Sequence, residues 1–340
     1  MRPAVSAIVV NHRSAAEAAA CAASLSAAFA NEGIAGELVL VDCASGPEEV
    51  CALQQIPADV RVFLDDNRGY SGGVNAGLAR ARADRLILSN ADVVFGAGAV
   101  TALLAAVADP SVGAAAPLCF WDAGQRWRLP AESGPSLSSE LGRVDFAKAA
   151  RRALRLWTEG GPTRHLVGAV LAVRRDVFDR VGRFDERFLF EYEESEWEDR
   201  VRAAGLELRF VPAARARHLY ARSAVRNPET ERRRAASRRR YLEGRWGRVG
   251  RWLIERRAGR NGVRPRDARA LDEPVLSARP GAWVAVSPSP RLVPFAGAPL
   301  DRDLRLEPDL RESLASGPLY FRVFDGETGR TLETRVWVKP

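Results

Sequence analysis

Two short stretches hold residue types whose spacing suits ligand chemistry. Asn67-Arg-Gly-Tyr-Ser-Gly-Gly-Val-Asn-Ala-Gly77 packs four glycines and two asparagines into eleven residues, where an extended pattern gives way to a helical one. Glycines in such a turn let the backbone approach a flat or phosphorylated ligand. Leu86-Ile-Leu-Ser-Asn-Ala-Asp-Val93 is a short apolar strand that ends on Asn90-x-Asp92. A carboxylate at the end of a buried strand, in the crevice of an α/β sheet, suits a hard cation such as Mg²⁺ or Mn²⁺. Together the two stretches point to a metal-bound nucleotide diphosphate. Structural alternatives stand beside this. Gly73 and Gly77, four apart on one helix face, also permit close helix–sheet packing, and Asn-Ala-Asp is also an ordinary turn. The glycine spacing gives no Gly-x-Gly-x-x-Gly, and no Gly-Lys-Ser/Thr follows a glycine loop, so dinucleotide and P-loop signatures do not compete.

Other residues extend the set. Asp42, in Val41-Asp-Cys-Ala-Ser45, closes a second predicted strand and can accept hydrogen bonds from a base or ribose; the alternative is a turn or cap aspartate. Asn67 and the turn from Gly69 to Asn75 would close the pocket around the base. Farther on, Val181-Gly-Arg-Phe-Asp-Glu-Arg-Phe-Leu-Phe-Glu-Tyr-Glu-Glu-Ser-Glu-Trp-Glu-Asp-Arg200 gathers carboxylates at a helix start. Such a run is either stabilised by the helix dipole or an acid–base site whose neighbouring carboxylates raise one another's pKa toward working pH.

These strings resemble the family-2 inverting glycosyltransferases with the GT-A fold, especially the rhamnosyltransferase-like branch. That family reads Asn-x-Gly-(Phe/Tyr)-(Ala/Ser/Gly)-x-(Gly/Ala)-x-Asn-x-Gly, and residues 67–77 fit every specified position, Tyr70 included. Asn90-x-Asp92 matches the Asp-x-Asp position, often Asn-x-Asp in this branch. The family's Val-Asp-Asn-x-Ser is met by Asp42 and Ser45, with Cys43 as a departure. Its Gly-x-Phe-Asp-Glu-x-Phe-Phe, Glu-Asp-x-Asp and following arginine are similar to 182–200. Glu193, Glu194 and Glu196 occupy the acidic positions and Arg200 the arginine, so every aspartate of the acidic motif has become a glutamate. The resemblance covers residues 5 to about 223. It implies Glu194 as general base and Asp92 as ligand of Mn²⁺ or Mg²⁺. It also implies His218, in His218-x-x-x-x-Ser223, as a metal or pyrophosphate ligand. Asp42, Ser45, Asn67, Gly69, Tyr70, Gly73, Asn75, Asn90, Glu193, Glu196 and Arg200 would hold the donor. The implied reaction moves a sugar from a nucleotide diphosphate, such as a dTDP- or UDP-sugar and dTDP-rhamnose in particular, to a hydroxyl of a glycan or lipid-linked acceptor. A catalytically dead sugar-nucleotide-binding protein is the second reading, raised by the glutamates. A nucleotidyltransferase is the third, weakened by the missing Gly-x-Gly-Thr-Arg type loop.

The elements that must position these residues alternate. Strand patterns at 5–10, 37–42, 60–64 and 86–89 are separated by helical ones at 14–30, 48–55 and 71–82, which predicts a parallel α/β sheet with chemistry at the strands' carboxyl ends. A helix follows at 98–108. Signals weaken over 122–162, where the family holds a variable acceptor-side insert, expected as a partly mobile loop with one amphipathic helix or two short ones over 138–157. A strand-like run at 166–173, helices at 175–181 and 195–204, and a strand at 206–211 complete this domain, taken as 1–225. After a basic linker (226–273), strands at 283–286, 319–324 and 331–338 predict a small β-rich domain over 274–340. Its last two strands are joined by the five-residue loop 325–329. So small a unit is marginal alone and should pack on the catalytic body.

Composition sets the outer bounds. Hydrophobic content of 46% and charged content of 28% are ordinary for a globular protein, and no apolar run reaches the ~18 residues of a spanning helix. The apolar start, 4–10, is short and fits a first buried strand better than a secretion signal. Cys21, Cys43, Cys51 and Cys119 lack metal-ligand spacing and read as small buried residues in a reducing, cytoplasmic compartment. Between Arg226 and Arg260 stand 13 arginines and 4 glutamates, a local +9 against +8 for the whole chain, so the basicity belongs to one segment. Tyr241, Val249 and Trp252, or Leu242, Trp246 and Val249, fall at helical spacing among them. Such a helix suits the anionic inner face of a membrane or simple packing on the catalytic domain. Nucleic acid is the remote alternative, since no recognised motif accompanies it.

Overall fold

The computed structural model describes residues 2–132, 134–135, 137–141, 145–219, 228–258, 268–314 and 316–339. Strands β1 (Val5–Asn11), β2 (Gly36–Cys43), β3 (Val60–Leu64) and β4 (Arg85–Asn90) alternate with helices α1 (Ala15–Asn31), α2 (Pro47–Gln54) and α3 (Gly69–Arg80). They pair in parallel in the order β3-β2-β1-β4. β1 is buried at every position because its two faces meet different partners. Val5, Ala7 and Val9 join the core around Cys21 and Leu25 of α1, whereas Ile8 and Val10 join the core around Val74 and Leu78 of α3. The register sets Asn11 beside Asp42 and Val10 beside Asn90. The carboxyl ends of three strands therefore lie level, forming the crevice where open α/β sheets bind ligands.

The rest of this body comprises β5 (Val93–Phe95), α4 (Ala99–Ala108), β6 (Val112–Phe120), α5 (Leu137–Glu140), α6 (Phe146–Glu159), β7 (Gly161–Thr163), β8 (Val170–Arg174), α7 (Arg175–Val181), α8 (Glu193–Ala203) and β9 (Glu207–His218). The nine-stranded sheet runs β3-β2-β1-β4-β8-β6-β9-β5, with β7 also on β9. It is mixed, not wholly parallel: β8 is antiparallel to β4 and β6, and β5 and β7 are antiparallel to β9. The cause is the route of the chain. It enters β8 from the ligand side, with Val170 opposite Ser89 near the carboxyl end of β4, so no helical crossover reverses it. Residues 166–169 are consequently a loop and only Val170–Arg174 are strand.

β6, which carries no strand pattern in the sequence, is buried at all nine positions. Its small residues and Pro117 hide it from β-propensity. The pairing to β9 shifts register between Pro117 and Leu118, the kind of irregularity that admits a proline to a sheet interior. Over 138–157 the chain forms two helices, α5 and α6, and β9 continues past residue 211 to His218.

Helix α9 (Pro228–Ala258) is interrupted at Gly247, with φ 69° and ψ 174°. Beyond it lie β10 (Arg269–Ala270), β11 (Val275–Leu276), β12 (Ala282–Ser287), β13 (Ala296–Pro299), β14 (Leu304–Arg305), α10 (Pro308–Ser313), β15 (Gly317–Asp325) and β16 (Thr331–Lys339). These form a five-stranded sheet, β10-β16-β15-β12-β13, and the pair β11-β14. The sheet covers α6. Trp157 stacks on Trp283 at 5.8 Å, and Phe146 lies 5.5 Å from both Phe295 and Phe324. Arg128 and Gly297 exchange backbone hydrogen bonds of 2.8 Å, stitching the insert to β13. The insert helix is thus clamped between two layers.

The predicted apolar stripe on the basic segment is divided. Tyr241, Leu242 and Ile254 are buried in a cluster with Phe188, whereas Val249, Trp252 and Leu253 are 71%, 51% and 47% exposed. The break at Gly247 rotates the two halves, so neither 241/249/252 nor 242/246/249 makes one face. Cys51 is exposed on α2, unlike the other three cysteines, because that helix buries only Leu53. No described helix is long and apolar enough to cross a membrane. Residues 223, 226 and 260 of the sequence-level assignments lie outside the described residues.

Candidate active site

The first group of residues singled out in the sequence lies at the ends of β1 and β2 and the start of α3. Asp42 is buried and fully engaged. Asn11 Nδ2 donates to its Oδ1 at 2.9 Å, Ser45 N to its Oδ2 at 2.9 Å, and the Ser45 hydroxyl also donates to Oδ1. Ser45 Oγ in turn accepts from Arg13 N at 2.8 Å. The pair therefore fixes the loop after β2. Asn67 Oδ1 accepts from Gly69 N at 3.0 Å, closing the turn into α3, and Asn67 Nδ2 donates to His12 Nε2 at 3.2 Å. His12 Nδ1 donates to Cys43 O at 2.8 Å, the tautomer that leaves Nε2 free to accept. His12 joins the asparagine turn to the ends of β1 and β2, a link no sequence motif marks.

The glycines split by task. Gly69 has φ +69°, and a Cβ there would lie 2.6 Å from Leu189 O. A Cβ at Gly73 would stand 2.5 Å from Val10 Cγ1, and one at Gly77 2.3 Å from Ile8 Cγ2. These two seat α3 on the sheet. Gly69 instead brings the helix start against the loop before α8. Asn75 closes the same junction: its Nδ2 donates to Phe184 O and Glu186 Oε1, both at 2.9 Å, and its Oδ1 accepts from Phe184 N at 3.2 Å. Arg68 pairs with Glu186, and Ser71 Oγ donates to Phe188 O at 2.9 Å. The two sequence hallmarks are thus bound to each other.

At the end of β4, Asn90 N donates to Ala169 O at 2.9 Å. Asp92 is buried, with Oδ1 3.2 Å from His218 Nε2, and Val93 faces His218 across the β5–β9 pairing. Burial raises the Asp92 carboxyl, but the neighbouring His218 imidazole outweighs it and holds the pKa below the usual range. No cluster of three or more acidic, histidine or cysteine ligands occurs among the described residues. A cation that also takes phosphate oxygens and water needs only one or two protein ligands. The converging Asp92–His218 pair fits that demand.

Helix α8 opens after Glu191 and Tyr192, both left-handed with φ +61° and +70°. Two such non-glycine residues in succession are a strained entry to a helix. Glu193 is buried and Glu194 half-buried, and the Oε2 of each has no hydrogen-bond partner among the described residues. Burial, then the neighbouring Glu194 carboxylate, raises Glu193 well above the glutamate range. Burial, with Glu191 nearby, raises Glu194 to about 7. Tyr70, from α3, has a buried hydroxyl without a partner among the described residues, pushed up in pKa by burial and by Glu193 and Glu194. The glycine helix therefore reaches the acids. Glu196 and Arg200 are elsewhere occupied. Arg200 Nε and Nη2 bond Glu196 at 2.9 and 2.7 Å, and Nη2 donates to Arg183 O at 2.8 Å, which fastens α8 to the loop after α7.

Residues 3–248 match the family described as glycosyltransferase-like family 2. The chain belongs to that family. It is 32% identical over 198 residues to the N-acetylglucosaminyl-diphospho-decaprenol L-rhamnosyltransferase of Mycobacterium tuberculosis, in strains CDC 1551/Oshkosh and ATCC 25618/H37Rv alike. That match takes in 52% of this chain and 64% of the relative, so the chain spans under two thirds of the relative's length. Among solved structures, it is similar to the mannosyltransferase PcManGT of Pyrobaculum calidifontis in complex with GDP-Man and Mn²⁺. Identity there is 17%, coverage 77% of each chain and the TM-score 0.48. It is also similar to GalNAc-T7 with UDP, GalNAc and Mn²⁺, at 16% identity, 64% of this chain, 44% of that one and a TM-score of 0.46.

Proposed function

We propose that this family-2 chain is an inverting glycosyltransferase of the GT-A kind, transferring a sugar from a nucleotide diphosphate to a hydroxyl. The observation that carries this is Glu194: a half-buried carboxylate raised to about 7, with an unpartnered oxygen among the described residues. It stands beside the loop that Asn90 holds at the end of β4. A base with a pKa near working pH removes a hydroxyl proton most effectively. Glu194 takes the proton of the acceptor hydroxyl while that oxygen attacks the anomeric carbon from the face opposite the diphosphate. The bond between that carbon and the diphosphate oxygen breaks, and the nucleoside diphosphate leaves with the electron pair. Asp92 and His218 would hold Mn²⁺ or Mg²⁺, which when bound neutralises charge on the leaving diphosphate. The level ends of β1, β2 and β4, with Asn67 and Tyr70, would receive the base and sugar.

The rhamnosyltransferase relative makes dTDP-rhamnose the first donor to try, UDP-sugars the next, and a glycan on a lipid diphosphate the acceptor class. In this reading the enzyme works on the cytoplasmic side, at the inner membrane face, with the exposed end of α9 turned to the lipid. The test is a thermal-shift screen of nucleotide sugars with Mn²⁺, Mg²⁺ or EDTA, followed by donor turnover with the best ligand. Metal-dependent stabilisation and release of nucleoside diphosphate are expected. Binding without turnover would support an inactive sugar-nucleotide-binding protein instead, and pyrophosphate release from a nucleoside triphosphate a nucleotidyltransferase.

A further inference from the structure

One buried polar pair has been given no role so far. Glu198, one turn after Glu194 on α8, has no exposed surface. Its Oε1 accepts from Leu166 N at 3.0 Å, and its Oε2 lies 3.1 Å from His165 Nδ1. His165 and Leu166 open the loop that leads to Gly168. A Cβ on Gly168 would lie 3.0 Å from Glu194 Cγ, 3.1 Å from its Cβ and 3.3 Å from its Cδ. The next residue, Ala169, receives the Asn90 hydrogen bond at 2.9 Å. The loop 165–169 is therefore tied at its start to Glu198 and at its end to Asn90 of β4, and between them it lies against Glu194.

We infer that Glu198 and His165 are positioning residues for Glu194: they fix the loop whose Gly168 sets where the base carboxylate stands. This rests on Glu194 being the base. A buried carboxyl beside a buried imidazole is costly unless its bonds are kept, and here both oxygens are engaged by the same loop. The charge environment fits a neutral Glu198. Burial, then the Glu194 charge and Asp199, raise it well above the glutamate range, against Leu166 N and Arg202. Burial lowers His165 to about 4, offset in part by Asp199 and Glu132 and reinforced by Arg202 and Arg245. Around Glu194 itself stand Glu191, Glu193 and the Tyr70 hydroxyl. A protonated Glu198 donates to His165 Nδ1 and places no charge beneath the base.

The test compares Glu198→Ala, Glu198→Gln, His165→Phe and Gly168→Ala in the full chain, with donor dissociation constant, kcat and the pH profile as readouts. Glu198→Ala and Gly168→Ala are expected to lower kcat about 10- to 100-fold while donor affinity stays within about twofold, because the loop serves the acceptor side. Glu198→Gln keeps an acceptor for Leu166 N and a donor for His165, so it should restore most of kcat and leave the acidic limb where it is. His165→Phe should fall between. An unchanged kcat in Glu198→Ala, or a Gln variant as poor as Ala, overturns the inference. So does an acidic limb that moves down in Glu198→Gln, since that means the native group is charged. Should Glu198→Ala not fold, Gly168→Ala decides alone. If Glu194→Gln itself keeps full activity, the base assignment has failed, a result distinct from any of these.

Discussion

At the scale of single residues, the site sets two carboxylates apart by environment. Asp92 is held ionised by His218, whereas Glu194 is kept near the point of titration by burial. Asp92→Ala should abolish metal-dependent binding of a nucleoside diphosphate; calorimetry showing unchanged affinity in a folded variant would remove Asp92 from the metal site. Glu194→Gln keeps volume and helix position but cannot take a proton, so kcat should drop by roughly 10²- to 10⁴-fold with donor affinity little changed. A general base at Glu194 acts as the carboxylate. Wild-type kcat/KM should therefore rise with pH through about 7 and level off above it; a profile already flat at pH 5 would rule out a base of this pKa. If Glu193→Gln is the inactive variant, the acidic register is off by one. Glu193 also bears on stability. Its carboxyl binds a proton more tightly folded than unfolded, so folding stability falls as pH rises from the ordinary glutamate value toward the raised one. Glu193→Gln should accordingly be more stable than wild type at pH 8 and no more stable at pH 4, as read from denaturant midpoints.

At the scale of elements, the parallel strands and the α3 turn were legible because buried parallel strands and glycine-rich helix starts both leave local patterns. Val5–Val10 is apolar except for Ser6, and the spacing of Gly73 and Gly77 is that of one helix face. The structure gives these two the packing task, with Ile8 and Val10 at 2.3 and 2.5 Å from where a Cβ would stand. Gly77→Ala should cost about 1–3 kcal/mol by overpacking, seen as a lowered unfolding midpoint while metal affinity per folded molecule is kept. A variant as stable as wild type would show that α3 can lift from the sheet. What local pattern did not reveal depends on distant partners. β6 is strand because β8 and β9 flank it, although its alanines and Pro117 favour nothing extended. The loop 166–169 reads as strand because it is apolar, yet its backbone is committed to Glu198 and Asn90. His12 and His165 take their places from residues 31 to 55 positions away in sequence, beyond the reach of any spacing rule.

At the scale of the whole molecule, α9 joins α8 to the outer surface. Its first half is bolted down: Tyr241 OH donates to Asp199 of α8 at 2.9 Å, and Arg234 pairs with Glu191 at 2.9 Å. Many of its arginines are similarly occupied, among them Arg233 with Glu229 and Arg251 with Glu255, so the formal local excess of +9 overstates the charge free for a partner. Beyond Gly247 the character changes. Val249, Trp252 and Leu253 stand in solvent, Arg256 lies 5.1 Å from the Trp252 ring centroid, and the Arg248 side chain is 86% exposed. An apolar tip ringed by arginines suits an anionic bilayer, where each engaged arginine contributes on the order of 1 kcal/mol and each buried large side chain roughly 1.5–3 kcal/mol. The full chain should therefore co-sediment with vesicles containing anionic lipid, less with neutral ones, and more weakly as salt shortens the screening length. Trp252→Ser with Leu253→Ser should weaken binding about tenfold or more at fixed charge. Trp246→Ser, whose ring packs against Tyr241 at 6.1 Å, should lower thermal stability more than membrane affinity. Failure to bind either vesicle would leave α9 as a strut that braces α8, and tight salt-sensitive binding to single-stranded or duplex nucleic acid would assign its arginines to that partner.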